Sequence, residues 1–75
     1  MEKMTTKLSC DKISQVISIK KVKDEWFVEL RDTKNIIKKV KPNAFIWRYK
    51  DYREALSQYI SVVEQHAHHI ALMSL

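Results

Sequence analysis

Glycine is absent from this chain, and cysteine and proline each occur once among its 75 residues. Without glycine, the chain cannot form the glycine-rich loops that cradle phosphates or the glycine-flanked turn that exposes a nucleophilic serine in hydrolases. It also has no pair of carboxylates in the apolar setting that general acid–base chemistry prefers. We therefore expect a protein that is not an enzyme and that needs no cofactor.

The single cysteine, Cys10, cannot form a disulfide within the chain, which favours a reducing compartment. No apolar run approaches the roughly 20 residues of a membrane helix, and residues 1–10 lack the apolar segment of a signal peptide. These absences predict an intracellular protein without membrane contact, in the cytoplasm, or in the nucleus if the cell is eukaryotic. A chain this short forms one marginally stable domain, for which a partner subunit is a common support.

Acidic residues are missing from the stretch Lys34–Lys50, which carries six cations. All 14 lysines and arginines lie at or before Arg53, so the net charge of +5 is concentrated outside the C-terminal region. A basic surface of this kind attracts polyanions such as nucleic acid, but it also keeps a small protein soluble. Charge alone leaves both interpretations open.

Alternating apolar and polar residues predict two strands, Ile13–Lys23 and Trp26–Arg31, after a flexible basic tail at 1–11. The single domain is then 12–75. With Asp24-Glu25 as the turn, one face of this hairpin is apolar and the other is mixed, as in a sheet covered on one side. Ile36–Lys41 predicts a third strand.

The register that follows from this turn places Ile19 opposite Leu30 and Lys21 opposite Val28. A further turn is predicted at Asp32–Asn35, and Phe45–Tyr49 is left as either extended or irregular.

The capping box Asp51–Glu54 predicts a helix from Tyr52 to about Met73. Its apolar residues form two adjacent stripes, which together span roughly 160° at about 100° per residue. The stripe that we assign to the sheet consists of Tyr52, Leu56, Ile60, Val63, Ala67 and Ile70. A helix on a small sheet needs only about 100°, so the second stripe predicts a homodimer interface. That interface consists of Ala55, Tyr59, Val62, His66, His69 and Met73.

The fold class that results is α+β: a three-stranded antiparallel β-meander with a long C-terminal α-helix packed on one face. Cations and aromatic residues on a sheet are typical of surfaces that bind single-stranded nucleic acid. The predicted nucleic-acid-binding residues are Lys20, Lys21, Arg31, Lys38, Lys39, Lys41, Trp47 and Arg48. Trp47 is the candidate stacking residue, with the alternative that Phe45, Trp47 and Tyr49 close the edge of the core.

Three histidines lie near the end of the helix. His66 and His69 are three residues apart and share a helix face, so they could offer two ligands to a metal. His68 points to the other side, and no third ligand is evident. We therefore predict no specific metal site.

The stretch from Ile13 to Arg31 resembles the opening hairpin of chromodomains and chromo shadow domains. The strands that follow, and a C-terminal helix bearing Leu56, Tyr59 and Val63, are similar in outline to a chromo shadow domain. That resemblance, over about residues 13–66, implies dimerisation through the helix and binding of peptides across the dimer.

A second resemblance is to apetala-type and integrase arm-type DNA-binding domains. It is carried by the residues Trp26–Asp32 and Tyr49–Tyr59, which are similar to their strand and helix pattern. This resemblance implies a three-stranded sheet laid in the DNA major groove, with contacts from Arg, Lys and Trp of the sheet.

The function that we expect is a small nucleic-acid-binding module, with DNA as the favoured partner, which dimerises through its helix. The alternative is a protein–protein interaction adaptor, either a chromo-shadow-like dimer or a small virus-encoded or accessory factor that binds a host protein.

Overall fold

Four antiparallel strands form a single sheet in the order β1-β2-β3-β4, and one helix follows them. The computed structural model describes residues 3–35 and 44–74. The elements are β1 (Lys3–Ser9), β2 (Ile13–Val22), β3 (Glu25–Asn35), β4 (Ala44–Tyr49) and α1 (Tyr52–Met73). The α+β class and the C-terminal helix are confirmed, but the sheet has four described strands where we predicted three.

The additional strand is β1, which lies within the segment that we predicted to be a flexible tail. It pairs with β2 along its whole length, from Lys3 opposite Lys20 to Ser9 opposite Ser14. Its even-numbered residues, Met4, Thr6 and Leu8, lie on the face that the helix covers. Two adjacent polar threonines, Thr5 and Thr6, one on each face, conceal this period, which is why sequence patterning missed the strand.

The β2–β3 hairpin turns one residue earlier than predicted. Val22 lies opposite Glu25, so the turn is Lys23-Asp24 and Ile19 faces Val28 instead of Leu30. Lys23 takes the positive φ of 58° that such a tight turn demands in a chain without glycine. The register therefore shifts by two residues, which leaves every side chain on its predicted face.

The turn predicted at Asp32–Asn35 is instead the end of β3. Ser14 pairs with Lys34 and Gln15 pairs with Asp32, so Thr33 is an extra residue in a bulge. The Thr33 hydroxyl donates a hydrogen bond to the backbone oxygen of Ser14, which stabilises the bulge. The predicted third strand, Ile36–Lys41, lies outside the described residues, and β4 occupies the segment that was left as extended or irregular.

Helix α1 has the bounds that the capping box predicted. The Asp51 side chain accepts a hydrogen bond from the backbone N–H of Arg53, and its backbone oxygen accepts from Ala55. The first bond satisfies one of the amides that a helix start leaves without a partner, and the second is the first regular backbone hydrogen bond of the helix. Trp26 contacts Tyr52 at the start of the helix, with ring centroids 4.6 Å apart.

The core lies between one face of the sheet and one face of α1. Its buried members are Ile17, Ile19, Val28, Leu30, Ala55, Tyr59 and Val62. The helix residues among them come from the stripe that we predicted to be a dimer interface, so the face that meets the sheet is centred on that stripe, the reverse of our assignment. Of the stripe assigned to the sheet, Tyr52 and Ile60 are exposed, Leu56 and Val63 pack partly buried against the core, and Ile70 is buried.

Polar groups of the sheet explain the reversal. The hydroxyls of Tyr59 and Thr6 share a hydrogen bond, and His66 meets Gln15 beneath the helix. Buried polar groups need such partners, and only the stripe that contains Tyr59 and His66 supplies them. Ala55, which is fully buried, also lets the helix approach the sheet closely.

Within residues 3–35 and 44–74, no helix combines the length and the apolar character that crossing a membrane requires.

Candidate nucleic-acid interface

The face of the sheet opposite α1 has no covering element among the described residues. Side chains that point to this outer face alternate with those of the core, because strand residues alternate between faces. The outer-face cations are Lys3, Lys7, Lys20, Arg31, Lys34 and Arg48. The strands place two carboxylates, Glu25 and Glu29, among these six cations, which leaves this face with a net charge of +4.

One row of residues crosses all four strands of the outer face. Lys3 pairs with Lys20, Lys20 pairs with Phe27, and Phe27 pairs with Arg48. With strands about 4.8 Å apart, the row is about 14 Å long. Lysines directly opposite each other, as Lys3 and Lys20 are, repel and destabilise a sheet by a fraction of a kcal/mol. An anion bound between them would remove that cost.

Two ion pairs hold the arginines of this face. Arg48 Nε lies 3.3 Å from a carboxylate oxygen of Glu25, and an Arg31 nitrogen lies 3.5 Å from a carboxylate oxygen of Glu29. All four side chains reach solvent, so each pair contributes little to stability. The arginines are thus oriented by their partners, whereas the lysines of the row remain available to an external anion.

The middle of the outer face is apolar. Val22, Phe27 and Ile46 line a shallow groove of about 250 Å³, with Lys20 and Glu29 at its border. Val22 and Ile46 are exposed, and Phe27 is half-buried. The arrangement gives a flat aromatic and aliphatic floor beside cations, which suits a ligand that has both a planar apolar surface and negative charge.

The predicted nucleic-acid residues divide into three groups. Lys20, Arg31 and Arg48 lie together on the outer face. Lys21 and Trp47 lie on the face that the helix covers, and Lys21 places its ammonium group 5.9 Å from the centre of the Trp26 ring. Lys38, Lys39 and Lys41 lie outside the described residues.

Trp47 does not serve as the stacking residue of the outer face. It pairs with Val28 and packs partly buried against the core, 6.3 Å from the Phe45 ring centre. The alternative that Phe45, Trp47 and Tyr49 close the core edge agrees with their positions. The aromatic residue of the outer face is Phe27, which the predicted site did not include.

Sequence reasoning missed Lys3 and Lys7, because the tail assignment removed them from the sheet, and it missed Lys34, because a turn was predicted at Asp32–Asn35. The one available signal for the first two was the alternation of Met4, Thr6 and Leu8 with these lysines, and two threonines weaken it.

The residues predicted for the dimer interface have other roles within the single chain. Ala55, Tyr59 and Val62 are buried in the core. His69 is exposed at the helix surface, and Met73 borders a cavity that contains Cys10. A homodimer through this stripe would require the helix to leave the sheet, so any dimer must use another surface.

His66, half-buried, forms part of a polar chain between helix and sheet. Gln15 donates its side-chain amide to an Asp32 carboxylate oxygen at 2.8 Å, and its Oε1 lies 3.1 Å from His66 Nδ1. Burial lowers the pKa of His66 below its usual 6.5; His69 acts in the same direction and Asp32 opposes it. A neutral ring that donates from Nδ1 satisfies this geometry.

Among the described residues, no three histidine, cysteine or acidic side chains are grouped so that they could hold a metal ion. The backbone amide of Lys12 chiefly lowers the pKa of the Cys10 thiol, at the end of β1. No histidine lies among the residues that line its cavity.

Neither a family model, nor a curated protein, nor a solved structure matches this chain.

Proposed function

We propose that the protein binds single-stranded nucleic acid on the outer face of its sheet. The observation that carries the proposal is the row Lys3–Lys20–Phe27–Arg48, which puts an aromatic ring between cations on an open sheet face. Bases stack on aromatic side chains while neighbouring cations neutralise the phosphates. Because Phe27 can stack only on a base that is unpaired, a single strand fits this face better than a duplex.

Charge supports the same conclusion. The outer face has a net charge of +4, and its lysines are exposed. The described helix surface, in contrast, carries acids as well as the cation Arg53. A polyanion is therefore attracted to the sheet side of the molecule.

Salt dependence of binding tests the electrostatic part of the proposal. Fluorescence anisotropy of a labelled mixed-sequence single strand should show log K falling with log salt at about −0.7 per neutralised phosphate. Roughly three to five neutralised phosphates set the expected slope, fewer than the outer-face cations because ion pairs hold the two arginines. Absence of binding to single strands and duplexes alike at low salt would contradict the proposal.

Substitutions test the site. Lys20→Ala should weaken binding and reduce the salt slope by about 0.7, since one phosphate contact is lost. Phe27→Ala should cost about 1–3 kcal/mol of binding free energy and leave the slope unchanged. Arg53→Ala removes a cation from the helix side and is the matched control. An equal effect of Arg53→Ala and Lys20→Ala would show that binding does not use this face.

A second candidate function is recognition of an acidic protein segment on the same face. The apolar groove lined by Val22, Phe27 and Ile46 favours it, because protein partners bury aliphatic side chains that nucleic acids do not need. Ile46→Ser distinguishes the two: it should leave oligonucleotide affinity nearly unchanged, whereas a protein partner would bind much more weakly.

A further inference from the structure

β1 forms an edge of the sheet. Within the described residues it pairs with β2 alone, so the backbone N–H and C=O groups on its other side have no strand partner. The strand has seven residues, no proline and no irregularity in its register with β2. Open edges of this kind readily accept another strand.

An apolar side chain lies exposed along the same edge. Met4, on the helix-covered face of β1, is 40% exposed, and Leu8 is only half-buried. Thr6 lies between them and is tied to Tyr59. The edge thus presents two apolar positions, placed symmetrically about a central threonine.

We propose that a second copy of this chain pairs its β1 with this β1, antiparallel across a two-fold axis. Two four-stranded sheets would then join into one sheet of eight strands, with both helices on the same face. A two-fold contact requires a surface that is complementary to itself. The β1 strand meets this requirement in one register.

That register places Thr6 on the two-fold axis. Met4 of each copy then lies opposite Leu8 of the other, and the outer-face Lys7 lies opposite Thr5. Lys3 lies opposite Ser9. Moving the axis to Thr5 would place Lys3 opposite Lys7 in both halves of the dimer, and such like-charge pairs are unfavourable. The lysines therefore select the register, and the apolar pair stabilises it.

The helices do not make this contact. The groove that contains Phe45 and Trp47 is bordered by Gln58, Ser61 and Gln65, so this flank of α1 lies toward β4. The opposite flank, with Leu56, Ile60 and Val63, lies toward β1. Helices centred on adjacent four-stranded sheets are about 19 Å apart, whereas packed helices need about 8–10 Å. They would border a trough whose floor is the paired β1 strands.

Sedimentation velocity of the wild-type chain at tens of micromolar should give a dimer. Met4→Glu should give folded monomers, because it places a charge opposite Leu8 of the second copy. Phe45→Glu makes the same kind of change on the β4 edge, where Phe45 is 54% exposed, and should leave the dimer intact. Ile60→Glu should also leave it intact.

Several outcomes would overturn the proposal. A wild-type monomer would do so directly. Dissociation by Ile60→Glu but not Met4→Glu would show a helix-to-helix dimer, and dissociation by Phe45→Glu alone would place the interface on β4. Thermal melts of each variant establish that it remains folded.

Cross-linking tests the register independently. In a Cys10→Ser background, Thr6→Cys should form a covalent dimer on mild oxidation, because directly opposite strand residues have Cα atoms about 4.5–5.5 Å apart. Thr5→Cys should cross-link much less, since its two copies would be offset along the strands. A dimer cross-linked by Thr5→Cys instead, or by neither variant, would contradict the register. None of these measurements uses nucleic acid, so their failure is separate from failure of the proposed function.

Discussion

His66 Nδ1 lies 3.1 Å from Oε1 of Gln15, and this contact joins the last third of the helix to the second strand. Gln15 is itself buried and held by Asp32, so the sheet fixes the position of the acceptor. Because the ring is half-buried between helix and sheet, stability depends on its protonation.

Stability should fall as the pH is lowered. Burial holds the pKa of His66 below its usual 6.5 in the folded protein. As the pH falls past 6.5, the unfolded chain therefore takes up the proton before the folded protein does. The free energy of unfolding then decreases until the pH is below the pKa of His66 in the folded protein. The midpoint of thermal unfolding should be lower at about pH 5 than at about pH 7.5. His66→Asn should flatten this dependence, whereas the control His68→Asn, at an exposed position, should not. Equal pH profiles for the wild type and His66→Asn would contradict the account.

Removing the Tyr59 hydroxyl should destabilise the protein, because Thr6 would lose its hydrogen-bond partner. We expect Tyr59→Phe to reduce the free energy of unfolding by about 0.5–1.5 kcal/mol. Tyr52→Phe removes the same group from an exposed residue and should have little effect. Urea denaturation measures both, and a larger loss for Tyr52→Phe would be inconsistent with this packing.

A glutamate introduced into one helix stripe should prevent folding, whereas a glutamate introduced into the other stripe should be tolerated. Val62 is 4% exposed and Ile60 is 46% exposed. Val62→Glu buries an unpaired charge and should prevent folding of a domain of ordinary marginal stability. Ile60→Glu should remain folded by circular dichroism. The reverse result would restore the original assignment of the stripes.

The sequence could show that the helix has two apolar stripes, because they follow the helical period, but not which stripe meets the sheet. The choice depends on Thr6 and Gln15, which lie more than 50 residues away from their helix partners. Thr6 also belongs to a strand whose pattern threonines obscure. The faces of β2 and β3 were predictable because alternation fixes them, even though the turn was placed one residue too late.

The same distinction holds for the site. Lys20, Arg31 and Arg48 were predictable as surface cations, and Lys20 could be placed on the mixed face. That Trp47 turns inward depends on how β4 pairs with β3. The local periodicity of a sequence does not reveal how such separate segments pair.

Lys23 should be the most sensitive position of the hairpin turn. Its φ of 58° is accessible to asparagine at low cost but is unfavourable for β-branched residues. Lys23→Val should lower the melting temperature, because a β-branched side chain is strongly disfavoured at positive φ, and Lys23→Asn should be neutral or stabilising. Thermal melts of both variants decide the matter, since equal melting temperatures would mean that the turn has another conformation.

The central claim is that nucleic acid binds the outer face of the sheet, and methyl-group NMR tests it most directly. Isoleucine and valine methyl groups report each face separately: Val22 and Ile46 lie on the outer face, Ile17 and Val28 in the core, and Ile60 on the helix. Titration with a mixed-sequence single strand should shift the signals of Val22 and Ile46 and leave those of Ile60 unchanged. Shifts confined to Ile60, or no shift at saturating oligonucleotide, would contradict the account.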